Sequence, residues 1–418
     1  MKRLLLVSAT ALALFGALST APVSAEKRPP AVSEQSLRAL AARHNLAIGT
    51  AIDMDALKDP NDPKYRQIAA TQFSSVTAEN VMKWESLEPE RGKYNWGPAD
   101  ELVEFARKNN QQVRGHVLVW HNQLPKWLTE GVENGTISKA ELRELLRKHI
   151  TTVVKRYRGK IAQWDVVNEA ASDPWDSPSE IHYKGFWAEH LGPDYIADAF
   201  RWARAADPNA LLFYNDYNLE GFGDRGPSDK TYFVYKMVKD LLAKGVPIDG
   251  VGIQGHLGTQ YGNFSTFQVK EVLDAFSDLG LVTALTEVDV RSVMTQAVQD
   301  GDSTEINPRL QASAGNFSVL MKACLLNRKC LSYTVWGFTD KHSWVPQWFN
   351  DPLEGMATLY DESYQPKRAY HEIKADLVLA GPPHVQPRAV PKPRKDHSAP
   401  PGPPGHPGHP APPAPPKR

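Results

Sequence analysis

Cysteine is scarce in this chain: only Cys324 and Cys330 occur among 418 residues, close together in C-L-L-N-R-K-C. So few thiols exclude a disulfide-built scaffold and a cysteine-rich zinc site, and a single small-loop disulfide is the expected use of the pair in an exported protein. An excess of charge of either sign is also lacking, with 48 Lys and Arg against 48 Asp and Glu. That balance gives no electrostatic ground for nucleic acid, a membrane surface or another highly charged polymer as partner, and it favours a neutral substrate. No Gly-rich phosphate loop follows the first predicted strand, where Gly49-Thr50-Ala51 offers one glycine, and no G-x-S-x-G nucleophile elbow occurs. His116 and His121, five positions apart on a predicted strand, fall on opposite faces and do not share an ion. Neither a metal nor a cofactor is therefore expected.

The two ends differ from the rest. Lys2 and Arg3 precede an apolar run from Leu4 to Leu18, and Val23-Ser24-Ala25 closes it with the small residues that a signal peptidase reads. The run is too short to cross a bilayer comfortably, so residues 1–25 are expected to be a signal peptide cleaved after Ala25, with no membrane span and a secreted product. Residues 381–418 hold close to half of the 33 prolines, mixed with Gly, His, Lys and Arg. Such a stretch cannot bury enough apolar surface to offset chain entropy and is expected to be an extended tail, with His406 and His409 solvated and retention at the cell envelope as one use for it.

Residues 26–380 remain for a single catalytic domain. Strand-like segments fall at Leu46–Asp53, Phe73–Asn80, Gln112–His121, Gln163–Ala170, Leu211–Asn218, Gly250–Gly258, Thr283–Val290 and Tyr333–Asp340. Helical periods lie between them, at Asp100–Asn109, Ser138–Tyr157, Asp194–Ala206, Asp229–Lys244, Thr266–Leu279 and Arg309–Leu326; the second opens with a capping-box pattern, Ser138 and Glu141. Eight strands with helical periods between them predict an α/β fold, a (β/α)8 TIM barrel; an open doubly wound sheet fits the alternation but not the missing phosphate loop.

In a barrel of this kind, reacting groups gather at the C-terminal ends of the strands. Here nearly every predicted strand ends in polar or aromatic residues. Among the acids, Glu169 ends the fourth strand behind Asn168, and Glu287 ends the seventh in T-E-V-D. Those strands lie nearly opposite one another, so their terminal carboxyls can converge over the mouth. Two carboxylates, a neutral substrate and tryptophans near strand ends (Trp84, Trp120, Trp336, Trp344) point to glycoside hydrolysis, although core packing accounts for any one of these tryptophans equally well. Retaining enzymes need the carboxyls about 5–5.5 Å apart and inverting ones about 6.5–9.5 Å, a separation the sequence leaves open.

The ordered motifs E-N-V-M-K-W (Glu79–Trp84), G-H-V-L-V-W-H (Gly115–His121), W-D-V-V-N-E-A (Trp164–Ala170), Y-N-D-Y-N (Tyr214–Asn218), I-Q-G-H (Ile253–His256), T-E-V-D (Thr286–Asp289) and W-G-F-T-D (Trp336–Asp340) resemble those of glycoside hydrolase family 10 endo-β-1,4-xylanases from about Leu37 to Ile373. The resemblance implies a retaining double displacement on xylan and xylo-oligosaccharides, with Glu169 as general acid/base and Glu287 as nucleophile. It implies sugar contacts by Glu79, Asn80, Lys83, His116, Trp120, Gln254, Trp336 and Trp344 on the glycone side and by Tyr217 on the aglycone side. Asn168 would hold the sugar 2-hydroxyl, His256 with Asp289 behind it would keep Glu287 ionised, and Gln123 with Trp344 would close the site around C5 of xylose. Glu169 is expected to begin protonated and to become a base once the glycosyl-enzyme has neutralised Glu287. A monomer is expected. The stretch Ser172–Gly185 departs from the family pattern, which leaves the aglycone contacts open. Competing readings are a β-1,4-glucanase on the same barrel, a non-catalytic carbohydrate-binding barrel, and a cell-wall structural protein displayed by its tail.

Overall fold

The computed structural model describes residues 31–176, 178–262, 264–349 and 353–381; the expected signal peptide and the tail from residue 382 onward lie outside them. Eight parallel strands form a closed barrel: β1 (Ala47–Ile52), β2 (Ser75–Ala78), β3 (Gln112–Gly115), β4 (Gln163–Asn168), β5 (Leu211–Asp216), β6 (Gly250–Ile253), β7 (Val282–Val293) and β8 (Cys330–Val335). Each pairs in parallel with the next, and β8 returns to β1 with Ile48 opposite Tyr333. Closure, rather than a doubly wound sheet, is thus the observed solution. It leaves no strand edge in the barrel unpaired.

Four strands depart most from the sequence pattern, one of them β8, which begins at Cys330 and ends at Val335, five residues short of the predicted Asp340. β3 ends at Gly115, well short of His121; beyond it, contact with β4 is intermittent, through Leu118 N to Asp165 O (3.0 Å) and a bridge between Val119 and Val167. Val117, Leu118 and Val119 are buried apolar residues, so they read as strand without forming one. The sixth predicted strand is broken at Gly255, whose φ of +79° only glycine adopts at low cost, into β6 and a short piece, His256–Gly258. β7 is longer than predicted, and its outer half runs past the rim to pair with His256–Gly258 and, antiparallel, with Glu354–Gly355.

Helices cover the outside as their periods require. Lys139–Arg156 buries Leu142, Leu146, Ile150, Val153 and Val154 and is capped by Ser138, which accepts from Glu141 N. The reciprocal half of the expected capping box is replaced by an ion pair of the Glu141 carboxylate with Arg91 (2.5 Å). Helix Ser303–Leu326 begins before the predicted Arg309 because Asp302 caps it, and Pro308 lies inside its early turns. Cys324, in the last turn of that helix, is disulfide-bonded to Cys330 at the start of β8. Gly115 has no room for a side chain, since a Cβ there would meet the Trp164 ring at 2.2 Å. The close approach lets the fully buried Trp164 fill the space beside β3, packing worth roughly 3–5 kcal/mol against truncation.

Candidate active site

Glu169 leaves the end of β4 with φ +57°, a conformation uncommon for a non-glycine residue, and its N–H donates to Asn215 O on β5 (2.9 Å). Its carboxylate receives three donors: Trp120 Nε1 (2.7 Å), Gln254 Nε2 (2.9 Å) and Asn168 Nδ2 (3.0 Å). Glu287 lies within β7, just past its pairing with the end of β6, and is likewise buried. It accepts from Asn215 Nδ2 (2.7 Å) and Arg114 Nη2 (3.3 Å) at one oxygen and lies 3.3 Å from His256 Nε2 at the other. Asn215 also donates to Asn168 Oδ1 (2.7 Å), so a run of amides, Asn215 to Asn168, joins the two carboxyls across the floor.

Charged neighbours act strongly on Glu287. Burial pushes the Glu287 carboxyl up, but His116, Arg114 and the His256 hydrogen bond and charge together outweigh it and hold the group far below the usual carboxylate range. The same contacts act on His256. Burial opposes its charge, yet Asp289, at 3.0 Å from Nδ1, and Glu287 push its pKa up to about 10. Trp344 Nε1 donates to the same Asp289 oxygen (2.7 Å), fixing that carboxylate between ring and imidazole.

Every residue named for catalysis or sugar contact lines one cleft of about 640 Å³ at the C-terminal mouth; Asp289 stands behind His256, outside that lining. One wall is a hydrogen-bonded group, with Lys83 Nζ donating to Gln123 Oε1 (2.5 Å) and Asn80 Oδ1 (3.0 Å) and lying 4.9 Å from the Trp120 ring centre. Burial pushes Glu79 up to about 7, Asp53 adding to the rise and Lys83 opposing it; burial also lowers Lys83 against the pull of Glu79, Glu287 and Glu169. Trp336 packs edge-on against His116, with ring centres 5.1 Å apart, and Trp344 is tilted against His256 at 5.0 Å. On the other side the Tyr217 hydroxyl donates to Asp173 and accepts from Lys184 Nζ (2.8 Å). Asp173 and Lys184 belong to the divergent stretch after Ala171.

Trp84 is a core residue. It stacks between His149 (3.8 Å) and Trp187 (5.6 Å) and donates Nε1 to Glu88 Oε2 (2.9 Å), so its ring does not reach the cleft. Three groups around Glu287 were not singled out as site residues from the sequence: Arg114, Asp165 and Asn215. The signal for two of them was present, as a charged side chain inside each of two short buried strands. Arg114 donates to Asp165, to Thr286 O (3.1 Å) and to Glu287, and Asp165 in turn lies 2.8 Å from His116 Nδ1. His116, Asp165 and Glu287 bring ligand atoms within 4.8 Å of one another, the spacing of a metal site. The Arg114 guanidinium is in contact with both carboxylates and supplies the positive charge that an ion would otherwise bring.

Residues 36–376 match the family described as glycosyl hydrolase family 10. The chain is 42% identical over 338 residues to endo-1,4-beta-xylanase B of Thermotoga neapolitana, covering 81% of this chain and 90% of that protein. It is 38% identical to endo-1,4-beta-xylanase 1 of Gibberella zeae, covering 72% of this chain and 79% of the other. Among solved structures, xylanase 10B from Thermotoga petrophila in complex with xylobiose superposes with a TM-score of 0.73 at 40% identity, covering 82% of this chain and 97% of that one.

Proposed function

The chain belongs to glycosyl hydrolase family 10, and from that premise we propose that it is a secreted, retaining endo-β-1,4-xylanase acting on xylan and xylo-oligosaccharides. The observation that carries the reading is the pair of buried carboxyls brought together from nearly opposite strands in one cleft, one of them held ionised by Arg114, His116 and His256 around it. Glu287 attacks the anomeric carbon while Glu169 gives its proton to the glycosidic oxygen; the C1–O bond breaks and the aglycone departs. The xylosyl ester on Glu287 is then attacked by water, whose proton returns to Glu169 as the ester bond breaks, and two inversions leave the configuration retained. The amide of Asn168, joined to both carboxyls through its own hydrogen bonds, is suited to the sugar 2-hydroxyl, where contacts strengthen in the transition state.

Lys83 holding Gln123 on one side, and Asp289 holding Trp344 on the other, give a wall whose rings and amides have little freedom to yield to a hydroxymethyl arm. A group of that size is worth on the order of 1–3 kcal/mol, so soluble xylan is expected to be cleaved about 10–200-fold faster than a soluble cellulose derivative. Reducing-sugar release measures this, and proton NMR of the first product reads its anomer. Equal or faster cleavage of the cellulose derivative would assign the chain to glucan instead, and no release from xylan would leave it a binding barrel. The leader pattern of residues 1–25 supports export.

The acid side of the pH profile tests the electrostatics. Glu287 must be ionised to attack, and its depressed pKa keeps it so well below ordinary carboxylate titration. Replacing His256 by glutamine keeps a donor but removes a charge, so the Glu287 pKa rises and activity is lost at a higher pH as the medium is acidified. The acid limb of kcat/KM on an aryl xylobioside is expected to move upward by roughly one to two units. An unmoved limb would mean that His256 does not set the nucleophile's charge state.

A further inference from the structure

Behind Glu169 three charged side chains, Lys230, Asp173 and Asp216, are packed out of water with a fourth, Lys184, half-buried beside them, and none has a part in the chemistry described above. Lys230, the first residue of helix Lys230–Ala243, is buried, with Nζ 3.0 Å from Asp173 Oδ1 and 2.9 Å from Asp216 Oδ1. Asp173 and Asp216 are fully buried. Lys184 Nζ reaches the other Asp173 oxygen at 3.1 Å, and the Lys230 ammonium lies 3.6 Å from the centre of the Tyr217 ring. Burial alone would discharge Lys230, but Asp216 and Asp173 more than offset it and raise its pKa above the ordinary lysine value.

Such a cluster is a poor way to stabilise a fold, because the cost of desolvating each ion cancels most of the attraction between them. Its connections point to another role. The second Asp216 oxygen accepts from the Tyr214 hydroxyl (2.6 Å), and that hydroxyl accepts from the backbone N–H of Ala170 (3.1 Å), the residue immediately after Glu169. Asp173, on the other arm, lies four positions beyond Glu169 in the same segment. Lys230 therefore clamps the chain at Ala170, through Asp216 and Tyr214, and again at Asp173. Between these points and the end of β4 sits Glu169 in its left-handed conformation, which the chain on its own would not favour.

We propose that Lys230 is a positioning residue for the reaction: by binding Asp216 and Asp173 together it fixes the direction in which Glu169 leaves β4, and so the point at which its proton meets the leaving oxygen. The inference rests on the assignment of Glu169 as acid/base. A displaced acid slows only those substrates whose leaving group needs a proton, whereas a loosened fold slows all of them alike.

The test measures Lys230→Met on phenyl, 4-nitrophenyl and 2,4-dinitrophenyl xylobiosides, with active sites counted by the burst from a 2-fluoro xylobioside so that unfolded protein does not enter the rates. Per active site, glycosylation of the enzyme is expected to slow by about 10–100-fold with the phenyl leaving group and by less than about 3-fold with dinitrophenyl. A fall that is equal for all three, or no fall, overturns the proposal. If Lys230→Met yields no folded protein, Asp173→Asn, which leaves the Lys230–Asp216 pair in place, carries the same comparison, and a flat response there overturns it as well. Glu169→Ala is measured alongside; a flat response in that variant would mean that the acid/base assignment itself has failed, a result distinct from a flat response confined to the cluster variants.

Discussion

Glu287→Ala is expected to lower kcat on xylan by on the order of 10⁵-fold, because the variant loses the atom that forms the covalent bond and no neighbour can replace it. The groups nearest the vacated position, Arg114, Asn215 and His256, are donors or cations and not nucleophiles. Those same groups leave a polar pocket complementary to a small anion. Added azide should therefore enter it and attack C1 of an activated aryl xylobioside from the side Glu287 occupied, restoring turnover and giving a glycosyl azide of inverted configuration. Rescue with retained configuration would remove Glu287 from the nucleophile role. Removal of this carboxylate also takes one negative charge away from Arg114 and His256. Its ionisation favours the folded state above the unfolded carboxylate pKa of about 4.3, and that contribution is lost only as pH falls toward the depressed folded value, so the substitution should affect stability chiefly near neutrality.

Glu169→Ala is expected to behave as the mirror image. On xylan, where the departing sugar hydroxyl is a poor leaving group, the rate should fall by about 10²–10⁴-fold, the usual contribution of a positioned proton donor. On a 2,4-dinitrophenyl xylobioside the first step needs no proton and should be nearly intact, so the glycosyl-enzyme accumulates and hydrolysis becomes limiting for want of a base. Azide should then speed turnover by attacking from the Glu169 side, giving a product of retained configuration. Trp120, Gln254 and Asn168 would keep donors aimed at the vacated site, so an incoming anion has partners there. Equal losses on both substrates would contradict the acid role. Opposite azide products from the two variants separate the two assignments without reference to absolute rates.

Two features of the site were legible for different reasons. Glu169 and Glu287 could be found because each follows a buried apolar run in a chain whose strands can be counted, and the count alone says that the fourth and seventh lie nearly opposite, although Glu287 proves to lie within a longer β7 and not at its end. Gln123, by contrast, was assigned only through resemblance, and its position depends on a left-handed φ of +47° and on Lys83, forty residues earlier. Trp84 shows the limit of a strand-end argument. It follows Lys83 directly, yet it turns into the helix layer against His149 and Trp187, because Lys83 is the extended residue before a short helix and Trp84 is the first residue inside it, where the backbone changes direction.

The eight strands with helical periods between them and the two carboxyls were decided by the order of residues, and the charge balance that suits a neutral polymer by composition, since periodicity and strand count are local properties that neighbours along the chain express. The surroundings of those carboxyls were decided only by closure of the barrel. Arg114 meets Glu287 across 173 positions, and Lys230 meets Asp173 across 57. An arginine within a strand or a lysine at the start of a helix looks the same in sequence whether it faces solvent or a buried acid. Which of the two it meets depends on how far each strand is staggered against the next around the ring, a property of the assembled barrel that no single segment carries.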